Sequence, residues 1–144
     1  MRSEARVVDA ASFRRLVRAR DLVHDTFDEE LSLDAMAEAA GLSRFHFARL
    51  FRRVFEKTPH AYLTDVRLAR ARDLLAHGTP VTEACFAVGF TSLGSFSTLF
   101  SKKLGLSPRD FQRTVRRVVV VPSDLPLLRI PHCFFRAWSP VDAT

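Results

Sequence analysis

Apolar residues recur every three or four positions through most of the first 117 residues, and glycine and proline break that recurrence into seven segments. Phe13, Leu16, Val17, Leu22, Val23 and Phe27 predict a first helix over residues 13–27, closed by the acidic run Asp28-Glu29-Glu30. Ser32 suits the cap of a second helix over 33–40, with Asp34 at its positive end and Gly41 closing the turn. Ser43 suits the cap of a third helix over 44–55. Thr58-Pro59 then opens a long fourth helix from about residue 60 to 77, which ends at Gly78 and spans roughly 27 Å. A fifth helix starts at Thr79-Pro80 and reaches residue 88, Gly89 makes a turn, a sixth runs from about 92 to 104, and Ser107-Pro108 opens a seventh that ends near 117. The predicted fold is all-α.

The third helix has two unlike sides. At 100° per residue, Phe47, Leu50, Phe51 and Val54 fall together as a core side. Phe45, Ala48, Arg49, Arg52 and Glu56 collect opposite, with His46 and Arg53 on one flank and Arg44 near the start. An arginine-bearing outer side is ordinary for a solvated surface helix, but an aromatic ring among the arginines calls for a partner.

The two halves of the chain repeat each other. Phe47-Ala48-Arg49-Leu50-Phe51 followed by Pro59 aligns with Phe96-Ser97-Thr98-Leu99-Phe100 followed by Pro108, at a constant offset of 49 residues. Each half has a short helix, a glycine turn (Gly41, Gly89) and a second helix, which is the layout of a helix-turn-helix whose second helix lies in the DNA major groove. A linker helix of roughly 27 Å would set two such units near the roughly 34 Å between successive major grooves on one DNA face.

Charge sharpens this picture. The chain has 144 residues, 47% hydrophobic and 26% charged, as expected of one soluble globular domain, and a net charge of +6 that favours an anionic partner. The excess is local: residues 21–38 carry seven acidic side chains and no Lys or Arg. Residues 43–72 carry Arg44, Arg49, Arg52, Arg53, Lys57, Arg67, Arg70 and Arg72 against Glu56 and Asp65. One face is thus built to meet phosphate.

Here the residues resemble a known family. Residues 31–43 (Leu-Ser-Leu-Asp-Ala-Met-Ala-Glu-Ala-Ala-Gly-Leu-Ser), the run Gly89-Phe90-Thr91-Ser92-Leu93-Gly94-Ser95-Phe96 through Phe100, and Gly105-Leu106-Ser107-Pro108 with Phe111 resemble the DNA-binding domain of the AraC/XylS transcription regulators. The resemblance covers about residues 13–117. It implies a seven-helix, two-subdomain unit: a first helix-turn-helix over 13–58, a linker helix over 59–78, a second helix-turn-helix over 79–117, and a C-terminal extension over 118–144. It also implies a transcriptional activator whose partners are double-stranded promoter DNA and RNA polymerase. Most such proteins carry an additional effector-binding or dimerisation domain; with about twelve residues ahead of the first helix, a short member acting as a monomer without a small-molecule site in its helical core is expected.

Two departures from the family pattern bear on the site. The second motif usually has Tyr-Phe and then Arg two residues later, whereas this chain has Ser95-Phe96 and then Thr98. The repeat pairs Phe45 with Gly94, Arg49 with Thr98 and Arg52 with Ser101, so the outer side of the sixth helix is Gly94, Ser95, Thr98, Ser101 and Lys102. Such a side can approach phosphates and donate from hydroxyls, but it lacks the bidentate arginine contact to guanine. The alternative is that the second unit is a structural repeat only. The expected DNA contacts are Ser43, Arg44, Phe45, His46, Ala48, Arg49, Arg52 and Arg53 from the first unit, and Ser92, Gly94, Ser95, Thr98, Ser101 and Lys102 from the second.

The remaining features narrow the classes. The run 118–121, stopped by Pro122, and the aromatic stretch 127–138 predict a short extended or β tail that packs on the helices or forms a dimer contact with a second copy. No run of about 18 apolar residues exists and the amino terminus carries charges, so a cytoplasmic, nucleoid-associated protein with no membrane partner is expected. Cys85 and Cys133 read as reduced thiols, and His132-Cys133 lacks the spaced second pair a zinc site needs, so no metal or cofactor is expected. No nucleophile elbow or phosphate-cradling glycine loop occurs, which argues against an enzyme. The rival class is a basic module that docks on an acidic protein or an anionic membrane without reading sequence.

Overall fold

The computed structural model of the protein describes residues 8–118, and these hold seven α-helices and no strand. They are α1 (Ala10–Asp25), α2 (Leu33–Ala40), α3 (Arg44–Phe55), α4 (Pro59–Ala76), α5 (Val81–Ala87), α6 (Leu93–Leu104) and α7 (Pro108–Val118). The expected tail strands and the Cys133 thiol fall outside the described residues.

Helix ends follow local chemistry. α1 begins earlier than the apolar spacing suggested, because the Asp9 carboxylate accepts from the Ser12 amide at 2.9 Å and fixes the start there. It also stops earlier, where the Thr26 hydroxyl donates back to the Leu22 carbonyl at 2.8 Å. Phe27 therefore leaves the helix, and its ring packs against both cores of the molecule. Thr58 caps α4 through the Ala61 amide at 3.2 Å, with Pro59 in the first turn.

The two glycine turns close alike. Gly41 (φ 64°) and Gly89 (φ 89°) both take left-handed backbone, and the next residue in each case donates five residues back, Leu42 to Ala37 at 3.0 Å and Phe90 to Cys85 at 3.2 Å. The second turn is one residue longer, since Phe90-Thr91 stands before Ser92 where only Leu42 stands before Ser43.

Two cores sit on opposite ends of α4. The first gathers Leu16, Ala19 and Val23 of α1, Met36, Ala37 and Ala40 of α2, Phe47, Leu50 and Phe51 of α3, and Leu63 and Val66 of α4. The second gathers Leu68, Ala71 and Leu75 of α4 with Ala84, Cys85, Val88, Phe96 and Phe100. Cys85 is buried and free, and burial pushes its thiol up from the ordinary value. No polar or charged residue is fully buried among the described residues, so both cores are apolar packings that hold two three-helix units on one shared helix.

Candidate nucleic-acid interface

Packing dictates which side of each second helix is left over. Phe47 and Phe51 are fully buried in the first unit, as are Phe96 and Phe100 in the second, so each helix must turn the opposite side outward. Ring contacts lock the first arrangement: Phe51 lies 5.4 Å from Phe47, 4.5 Å from Phe55 and 5.5 Å from Tyr62. In the second, Phe100 lies 5.6 Å from Phe96 and 5.7 Å from Phe111.

The outward side of α3 carries what the sequence arithmetic placed there. Phe45 is 79% exposed, Arg49, Arg52, Arg53 and His46 are exposed, and Ala48 is half-buried between them. Among the described residues no carboxylate lies within ion-pair reach of Arg49 or Arg52. Arg44 leans back to Asp34 of α2 at 3.6 Å, a pair exposed enough to exchange readily for a phosphate. Ser43 has the extended backbone of a cap, but its hydroxyl accepts no helix amide. The first-turn amides of α3 therefore keep their outward donors.

The outward side of α6 differs. Ser92 does cap, accepting from the Ser95 amide at 3.3 Å. Gly94, Ser95, Thr98 and Lys102 are exposed and Ser101 is half-buried. A Cβ on Gly94 would meet only the Ser92 hydroxyl oxygen, at 3.8 Å, which is ordinary contact. The protein itself thus has room for alanine there, and glycine is no better than alanine in the first turn of a helix. Leu93 and Leu99 are 40% and 37% exposed, so the surface around the hydroxyls is partly apolar.

Sequence reasoning missed two charged joints that matter here, one at Asp65 and one at Arg67. Lys103 pairs with Asp65 of α4 at 3.1 Å, and Lys57 pairs with the other oxygen of the same carboxylate. Burial raises the Asp65 carboxyl, but the hydrogen bonds from Lys57 and Lys103 outweigh it and hold the group below the usual carboxylate value. Arg67 is held against the loop before α2: its Nε donates to the Phe27 carbonyl at 2.6 Å and its Nη2 to the Glu29 carbonyl at 2.8 Å. Helical spacing alone would not have found either, because both depend on how the two units meet.

A family model described as a helix-turn-helix domain matches residues 36–114, more than half of the chain. A solved AraC-type transcriptional regulator from Chromobacterium violaceum is 30% identical and superposes with a TM-score of 0.68, covering 74% of this chain and 96% of that one. The chain belongs to the AraC/XylS family. The transcriptional activator RhaS of Escherichia coli is 37% identical over 92 residues, which are 63% of this chain and 33% of RhaS. The chain spans about a third of the length of the curated relatives it matches. The DNA-binding domain of AdpA, solved in complex with a target DNA, is 25% identical with a TM-score of 0.71, covering 75% of this chain and 98% of that one. In this AraC/XylS member the all-α tandem helix-turn-helix is the family's DNA-binding architecture. No helix among the described residues is long and apolar enough to cross a membrane.

Proposed function

We propose that the protein is a sequence-specific, double-stranded DNA-binding transcription regulator, an activator, that lays α3 and α6 into adjacent major-groove segments of promoter DNA. The observation that carries the reading is the outward side of α3, where Phe45 is 79% exposed beside the exposed Arg49 and Arg52 on the second helix of a helix-turn-helix. A guanidinium at mid-helix can take guanine O6 and N7 together, and an apolar neighbour can touch a thymine methyl. Gly94 supports the second contact, since a glycine with no internal need for its missing Cβ suits close approach of a phosphate backbone. The activator role rests on the names of relatives such as RhaS. RNA polymerase follows from that role as a second partner, with the cytoplasm as the compartment and a monomer as the form bound to DNA.

The rival, a basic module for acidic proteins or membranes, shares the charge but gains nothing from a repeated pair of glycine-turned helices. A preferred duplex selected from a random pool separates the two when titrated against random DNA at two salt concentrations. The regulator reading expects a preference of roughly a thousandfold or more that survives the salt change while both affinities fall. Equal affinity for both duplexes at each salt would overturn it.

A further inference from the structure

α4 does more than separate the two units. Its residues 65 and 67 lie about 200° apart around the helix, and each ties one unit to the other on its own side. On one side the Arg67 guanidinium donates to the carbonyls of Phe27 and Glu29, at 2.6 and 2.8 Å, in the connection between α1 and α2. The same group lies 5.9 Å from the centre of the Phe90 ring, in the turn between α5 and α6. That turn approaches so closely that a Cβ on Gly89 would come within 2.8 Å of the Asp28 carbonyl oxygen and 3.1 Å of the Arg67 guanidinium carbon. The Arg70 guanidinium lies over the Phe27 ring, 5.5 Å from its centre. On the other side Asp65 accepts from Lys57, in the connection leaving α3, and from Lys103, near the end of α6.

We propose that Arg67 and Asp65 form a two-sided brace on α4 that fixes the angle between α3 and α6, and so sets the one spacing of DNA segments that the chain accepts. They are positioning residues, and the proposal rests on the DNA-reading function proposed above. Arg67 is the stronger arm. Its charged donors hold two loop carbonyls at short distance, the one to Phe27 part-buried, whereas Asp65 is held by two exposed lysine ammonium groups whose pairing is screened by salt. Each core grips α4 through its own residues, Leu63 and Val66 in the first and Leu68, Ala71 and Leu75 in the second, so without the brace each unit could still shift over α4 and change the angle between α3 and α6.

The test uses the full chain and four duplexes: the selected site with both segments, the same site with the second segment scrambled, the same site with one base pair inserted between segments, and a fully scrambled control. The inserted pair turns the second segment by about 35°. The brace predicts that the native protein binds the inserted duplex no better than the half-scrambled one. Arg67→Ala should lose roughly tenfold on the selected site and little on the half-scrambled one, and it should discriminate less against the inserted pair. Asp65→Asn should show the same pattern, smaller and erased by high salt. If Arg67→Ala does not fold, Arg67→Lys keeps the charge and reaches one carbonyl, and the native protein's response to the inserted pair decides independently. Native binding to the inserted duplex as tight as to the selected one would overturn the brace and leave the DNA-reading function standing. Equal losses for a folded Arg67 variant on the selected and half-scrambled sites, or no loss on either, would also overturn the brace. No preference for the selected site over the control would overturn both.

Discussion

α3 and α6 bury the same pattern and display different ones. Phe47 and Phe51 of α3 and Phe96 and Phe100 of α6 occupy equivalent core places 49 residues apart, all fully buried. Outside, Phe45, Arg49 and Arg52 face Gly94, Thr98 and Ser101 at the same offset. Folding holds the inner side to one solution, because each unit must fill a small three-helix core at solid density. It places no such demand on the outer side, which is left to be shaped by what it touches. Under the proposed function, the difference suits α3 to base reading and α6 to close contact with the DNA backbone.

The largest effect that sharpens this comparison comes from separating the cores. Phe100→Ala should cost about 3–5 kcal/mol, because the ring is fully buried between Phe96 and Phe111. A denaturant melt measures the cost. Binding to a duplex carrying only the α3 segment should survive if the units fold on separate cores, and its loss would show that the two cannot be divided.

The helix exits give a matched pair of smaller effects. Glu56 and Gly105, again 49 apart, both end their helices in left-handed backbone, at φ 57° and 75°. A Cβ on Gly105 meets nothing within 4 Å, so Gly105→Ala isolates the backbone cost, about 1 kcal/mol. Glu56→Gly should change stability by less than that, because relief of the left-handed strain is offset by the freedom glycine gains in the unfolded chain. Equal and opposite changes would contradict the offset.

Gly94→Ala tests the outer side itself, with opposite signs for folding and binding. The helix should gain a few tenths of a kcal/mol in a thermal melt, less than the roughly 1 kcal/mol of a helix interior because Gly94 is the second residue of α6, while affinity for DNA falls as the new methyl stands between α6 and a phosphate. A variant that is both more stable and a tighter binder would remove the close-contact role of α6.

The smallest effect is one of pH and lies away from both outer sides. Burial, then Arg20 and Arg70, push His24 below its usual value, and its Nε2 lies 3.0 Å from the Tyr62 hydroxyl. The folded state thus binds this proton less readily than the unfolded chain does. Stability should fall as pH drops below about 6.5 towards the lowered folded value, and it should be fully present above that. His24→Gln should flatten this slope in melts across pH 5 to 8, with DNA preference at neutral pH unchanged.

The fold was legible because its determinants are local. Gly41, Gly89, Thr58-Pro59 and Ser107-Pro108 mark turns and starts that hold whatever surrounds them, and the phenylalanine repeat marks both cores. The start of α1 was missed because Asp9 and Ser12 carry a capping signal that apolar spacing ignores. The contents of the α3 outer side were equally readable, since a helix wheel and a known core side fix the rest. Lys103, which 100° steps turn towards the core side of α6, was passed over because its use depends on Asp65 of another helix. Arg67 sits in a run of basic residues and looks like one more phosphate contact, yet its donors point at loop carbonyls from the other end of the first unit. Long-range partners of that kind are set by packing between units, and no spacing in the chain announces them.

The division of labour between α3 and α6 is tested most directly by Arg49→Ala and Lys102→Ala, each measured on one preferred and one scrambled duplex across a salt series. Arg49→Ala should cost about 1–3 kcal/mol on the preferred duplex, relax specificity at one or two base pairs and change little on the scrambled one. Lys102→Ala should weaken both duplexes about equally and reduce the slope of log affinity against log salt by roughly one. An Arg49→Ala loss of equal size on both duplexes would contradict the account, because α3 would then be a second charged surface and not the reader.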